Sequence, residues 1–115
     1  MKKSIFAAIT LTTSLFAYSS GGTDKGVITS MYVNNGWTMV SVPDLHTTIK
    51  GSKNNPDSCT SNSYYAIIPS DPNYTTIHAT LMAAQMAGKQ VHFWVNGCSG
   101  QNGDYPKIVS VWVTS

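Results

Sequence analysis

The period of the hydrophobic positions changes along the chain, and each change marks an element. Residues 27–33 (VITSMYV) place Val27, Thr29, Met31 and Val33 on one face of a strand. Asn34-Asn35-Gly36 follows as a hairpin turn, because Asn and Gly tolerate positive φ. Residues 37–42 (WTMVSV) read as the return strand, which Pro43-Asp44 ends. Residues 46–58 are polar, with Gly51, Asn54, Asn55 and Pro56, and predict a loop with a short edge segment near residues 47–49. Residues 64–68 (YYAII) form a third strand, stopped by Pro69, Asp71 and Pro72.

The period then lengthens. Residues 74–87 (YTTIHATLMAAQMA) carry Tyr74, Ile77, Leu81 and Ala84 at steps of three and four, one apolar stripe of a helix. Asn73 is its N-cap, Gly88 its stop, and Lys89 suits the negative helix end. Strict alternation returns at residues 90–95 (QVHFWV), with Val91, Phe93 and Val95 facing one way and His92 and Trp94 the other. A glycine-rich loop, residues 96–104, leads to a last strand over residues 105–113. There Val109, Val111 and Val113 share one face, and Ile108, Ser110 and Trp112 the other. The order β-β-β-α-β-β is that of an OB-fold, a five-stranded Greek-key barrel with its helix between the third and fourth strands. The expected fold class is therefore mainly β with one helix, an OB-fold barrel in a single domain over residues 23–115.

The first 20 residues follow another logic. Met1-Lys2-Lys3 is basic, residues 5–16 (IFAAITLTTSLF) are apolar or small and uncharged, and small residues run from Ala17 to Gly22. This is the order of a secretory signal peptide, with cleavage expected between Ala17 and Gly22. The apolar run is shorter than the ~20 residues that span a bilayer. No later segment reads as a membrane anchor. The expected location is periplasmic or secreted.

Charge sharpens this reading. The seven bases are all lysines and the five acids all aspartates, for a formal net charge of +2. Lys2 and Lys3 account for that excess and depart with the leader, so the exported domain is neutral. A neutral domain without arginine is a poor match for nucleic-acid phosphates. Recognition by such a domain rests on shape, aromatic faces and neutral hydrogen bonds. In an exported chain the cysteine pair, Cys59 and Cys98, predicts a disulfide, which closes a long loop and stabilises by about 4 kcal/mol.

Catalytic chemistry finds little to use. Asp44, Asp57, Asp71 and Asp104 each lie within two residues of a proline, the composition of turns. Gly97-Cys98-Ser99-Gly100 lacks the G-x-S-x-G elbow of a nucleophilic serine. His46, His78 and His92 are scattered and give no metal-ligand spacing. The chain reads as a non-enzyme with no cofactor and no metal. Saccharide binding is better supplied, through aromatic faces beside Asn, Ser and Thr. Tyr32, Trp37, Tyr64, Tyr65, Trp94 and Trp112 are the stacking candidates, set against their use as barrel core. Trp94 and Trp112 oppose strand faces that already supply core, so they point to a ligand or to a subunit interface.

The strand ITSMYV, the helix segment YTTIHATLMAAQMAGKQV running through a glycine into a strand, and the closing strand opened by Tyr105-Pro106 together resemble a known family. The mature chain is similar, over most of residues 26–113, to the OB-fold B subunits of A–B toxins of the subtilase-cytotoxin and typhoid-toxin type. The resemblance implies a homopentameric ring with helices lining a central channel, recognition of cell-surface glycans, and docking of a separate enzymatic A subunit. In that family a serine hydroxyl just before the first strand belongs to the sugar pocket, and this chain has Thr23-Asp24 there. The expected ligand-binding residues are Thr23, Asp24, Tyr32, Trp94 and Trp112. The expected function is a non-catalytic binding module for a glycan or protein surface. A stand-alone periplasmic or secreted protein with a structural or inhibitory role is the alternative.

Overall fold

A computed structural model describes residues 20–47 and 49–115. Apart from Ser20, the predicted leader lies outside these residues. Seven strands and one α-helix follow in the order β1 (Gly21–Gly22), β2 (Gly26–Val27), β3 (Ser30–Asn34), β4 (Trp37–Ser41), β5 (Tyr65–Ile67), α1 (Tyr74–Ala87), β6 (Gln90–Ser99) and β7 (Tyr105–Thr114). The strands form one open sheet ordered β1-β6-β7-β5-β4-β3, with β2 also paired to β6. The fold is thus mainly β with one helix, as expected, but the sheet has seven strands and is not closed into a five-stranded barrel.

The extra strands come from the first predicted strand and the segment before it. Gly26–Val27 pairs with Val91 and Gln90 on β6, while Ser30–Asn34 pairs with β4. The chain changes partner between them because it passes very close to its neighbours. A Cβ at Gly26 would stand 2.6 Å from Val42 Cγ1 and 3.2 Å from Asp44 Cβ, so only glycine fits. Hydrophobic periodicity cannot register such a position. The β3–β4 hairpin turns at Asn35 and Gly36, both at positive φ (50° and 85°), as the sequence predicted. Of the edge segment expected near residues 47–49, the described residues 47 and 49 are not in a strand, and Pro43–Leu45 just before them forms a 3-10 turn.

Helix α1 runs over the predicted span and buries Ile77, Leu81 and Ala84, the predicted stripe. Gly88 adopts the left-handed conformation and ends it. Asn73 occupies the N-cap without a side-chain hydrogen bond. Asp71 organises that end, with Oδ1 accepting from Asn73 N (2.9 Å) and its carbonyl from Tyr74 N (3.0 Å). Strand β6 alternates as read, burying Val91, Phe93 and Val95, but continues through Cys98 to Ser99 where a loop was expected. The facing strand β7 departs more. Trp94 pairs with Ser110 and Val95 with Ile108, so β7 carries an extra residue, a β-bulge, at Val109. The bulge moves the inward face from odd to even positions: Val111 opposes Phe93 in the core, while Ile108, fully buried, opposes Val95. The predicted grouping of Val109 with Val111 and Val113 therefore does not hold.

The main core gathers Val40, Val42, Leu45, Tyr65, Ile67, Phe93 and Ile108 with the helix stripe. Tyr65 and Phe93 meet at 5.2 Å between ring centroids. A second, smaller interior lies on the opposite side of β4 and β5. Met39 and Ala66 alternate with the core-facing Val40 and Tyr65, point away from that core, and are nevertheless fully buried. Gly100 packs over them: a Cβ there would stand 2.8 Å from both Ala66 Cβ and Met39 Sδ, and its φ is 77°. Cys59 and Cys98 are joined, Cα atoms 5.7 Å apart, and tether this covering segment. Asn55, itself buried, clamps the same point by accepting from Cys59 N (2.9 Å) and donating to Cys59 O (3.0 Å).

Candidate binding site

Aromatic residues on the outward strand faces form two patches. The first is a row of tyrosines beside the second interior. Tyr32 and Tyr64 meet edge-to-face at 5.1 Å, and Tyr64 and Tyr105 at 6.1 Å. All three are half-buried. Burial first, and then the neighbouring phenols of Tyr105 and Tyr64, pushes the Tyr32 hydroxyl above the usual tyrosine range. These rings pack on one another.

The second patch lies on the outer face of β6 and β7. Antiparallel pairing sets His92 opposite Trp112 and Trp94 opposite Ser110. The His92 and Trp112 rings stack in parallel, 5.0 Å apart with 3° between planes. Trp94 rests against β1, where a Cβ on Gly22 would be 3.6 Å from its Cε3. Trp94 stays 41% exposed and Trp112 47%. Two polar atoms along the same strand face, His92 Nδ1 and Asn96 Oδ1, are buried with no hydrogen-bond partner among the described residues. Orphans of this kind are uncommon in folded proteins and ask for a reason.

The other predicted site residues divide. Thr23 is buried, and its backbone N donates to Phe93 O at 2.8 Å. Its Oγ1 accepts from Phe93 N and donates to Asp24 O, both at 2.9 Å. The hydroxyl is thus spent on holding the N-terminal segment to β6. Asp24 is exposed, paired with Lys53 at 3.1 Å and accepting from Asn54 Nδ2 at 3.3 Å. Such a surface ion pair contributes little to stability. Thr23 and Asp24 therefore flank β6 near Trp94. Tyr32 sits on β3, at the far end of the strand order, within the tyrosine row.

One polar network was not foreseen. Thr38, only 1% exposed, lies 2.8 Å from the Tyr74 hydroxyl and 2.7 Å from His78 Nδ1. The Thr38 hydroxyl has a single proton and two lone pairs, so it donates to at most one of these groups. Tyr74 and His78 lie one turn apart on α1, a spacing visible in sequence, but their shared partner on β4 is set by tertiary packing. Beside this network runs a groove of about 310 Å³ lined by Met31, Tyr32, Val33, His78, Met82 and Gln85. A second groove, about 480 Å³, follows the other flank of α1 along Thr80, Ala83, Ala87 and Val113. Among the described residues no cluster of His, Cys or Asp is placed to hold a metal ion.

The fold and site define a small mainly-β domain, disulfide-tethered on one side and aromatic on the other. The disulfide fits an oxidising compartment. No helix among the described residues is long and apolar enough to cross a membrane. No family model, no curated protein and no solved structure matches the chain.

Proposed function

We propose that the chain is an exported, non-catalytic binding module that presents the Trp94–Trp112 face to saccharides. The observation that carries this reading is the pair of exposed indoles on β6 and β7, flanked by orphaned polar atoms, on a face that already has its core on the other side. Aromatic planes bind the apolar faces of sugar rings, and polar neighbours fix their orientation. The experiment is binding of labelled mature protein to glycan-bearing cells before and after periodate oxidation of the surface sugars. Binding is expected to fall after periodate and in Trp94→Ala. Binding indifferent to both treatments contradicts the proposal.

The same proposal reads the fold as an opened OB barrel. Residues 26–34 pair with β6 at their start and with β4 at their end, the bridging path of an OB barrel's first strand. It extends to a toxin-B-like ring that docks an enzymatic subunit. Among the described residues β3 pairs on one edge only, β7 beyond Lys107 pairs only with β6, and the two open edges flank α1 beside its two grooves. Head-to-tail contact between unlike edges closes a ring when the rotation permits. Light scattering on the mature protein is expected to give a pentamer, and a strict monomer contradicts the ring.

A further inference from the structure

We propose that the groove between β3 and α1 is a site for a soft metal ion, Cu(I), held by the thioethers of Met31 and Met82 and by His78 Nε2. The proposal is independent of the saccharide reading, which concerns β6 and β7. Met31, His78 and Met82 line one groove of about 310 Å³. His78 and Met82 lie one turn apart on α1, so their side chains share a face of the helix. Met31 pairs with the core residue Val40 across the β3–β4 ladder and packs against the core from the strand side. A thioether from the strand and an imidazole and thioether from the helix thus meet in a common space. Histidine spacing alone gave no metal site, because two of these ligands are methionines.

The imidazole is already oriented. His78 Nδ1 lies 2.7 Å from Oγ1 of the buried Thr38, which leaves the Nε2 edge for the groove. An imidazole that ligates through Nε2 keeps its proton on Nδ1 and needs an acceptor there. Thr38 Oγ1 supplies that acceptor, and the hydroxyl's own proton then goes to the Tyr74 hydroxyl, 2.8 Å away. The donor set selects the metal. Thioethers are soft ligands that favour Cu(I), and imidazole suits copper as well. Magnesium and calcium require oxygen ligands, and zinc takes thiolate, imidazole or carboxylate. The rest of the lining, Tyr32, Val33 and Gln85, brings no carboxylate, and both cysteines are in the disulfide. Access is open as well: Met82 is 45% exposed, whereas Met39, a methionine used for packing, is fully buried.

The test is titration of the mature protein with Cu(I), kept reduced by ascorbate without oxygen, in competition with bicinchoninate. Zn(II) is titrated in parallel. Met31→Leu, Met82→Leu and His78→Ala remove one ligand each, and the two leucines preserve side-chain volume. Met86→Leu removes a thioether that is 84% exposed and lies outside the groove lining. Circular dichroism and an intact Cys59–Cys98 bond establish that each variant is folded. The expected result is one Cu(I) per chain, bound more tightly than Zn(II), with affinity lower by roughly tenfold or more in each ligand variant and unchanged in Met86→Leu. Proton spectra should show the Met31 and Met82 methyl resonances shifting on metal addition. No binding of Cu(I), tighter binding of Zn(II), or unchanged affinity in Met82→Leu overturns the site. An equal loss in Met86→Leu also overturns it, since the ion then sits on exposed thioethers of the helix and not in the groove.

Discussion

The two outward aromatic patches start from the same sequence feature and end differently. Tyr32, Tyr64 and Tyr105 lie where the tethered segment around Gly100 has come down on the sheet, so Met39 and Ala66 beneath are as dry as any core residue. Trp94 and Trp112 lie on β6 and β7, where among the described residues only the edge of β1 at Gly22 meets Trp94, and keep close to half of their surface in water. An outward aromatic on a strand is therefore packed or left open according to what covers it. The covering is decided by the disulfide and by one glycine rather than by the strand's own pattern.

The sharpest way to break this contrast is to remove the tether. Cys59→Ala with Cys98→Ala frees the two segments, and the expected loss is about 4 kcal/mol, read by urea denaturation. The Tyr32–Tyr64–Tyr105 row should loosen while the His92–Trp112 stack persists, which the ring-proton chemical shifts report. Gly100→Val tests the same region without touching the disulfide. A side chain there meets Met39 and Ala66 at positive φ, so a loss of about 3 kcal/mol is expected.

A third test addresses the main core. Tyr65 is buried and its hydroxyl donates to Asn54 O at 2.9 Å. Burial, and then the charge of Asp24, raises its pKa well above the ordinary value of 10.0. The folded state thus holds this proton more tightly than the unfolded state. Its contribution is complete below the unfolded pKa, near 10, and is lost as pH rises above it. Tyr65→Phe should cost about 1 kcal/mol at neutral pH and make stability fall less steeply with pH above ~10. An unchanged alkaline slope would show that Tyr65 does not carry the effect. The smallest change expected is on the bare face. Trp112→Ala removes an exposed ring and its stack on His92, for a stability change of about 0.5 kcal/mol.

Much of this contrast could be read in the chain, and the reason it could not all be read is physical. Alternation in QVHFWV identifies Trp94 as outward and Phe93 as core, because strand periodicity is local. The helix stripe Ile77, Leu81 and Ala84 and the Gly88 stop are local for the same reason. The Val109 bulge is not: it depends on how β7 registers against β6, and it reversed the expected facing of Ile108. Gly26 and Gly100 are invisible to hydrophobic patterning, yet one splits the first strand and the other seals the second interior. Thr23 and Trp94 were both legible as candidates. Only the structure separates a hydroxyl consumed by Phe93 from an indole left free.

The central claim is that Trp94 serves recognition and not stability. A binding titration of folded Trp94→Ala against wild type on the same glycan-bearing surface tests it most directly. Affinity about tenfold weaker is expected, with a stability loss of only about 0.5 kcal/mol, like that of Trp112→Ala. Unchanged affinity, or a variant that fails to fold, would contradict it.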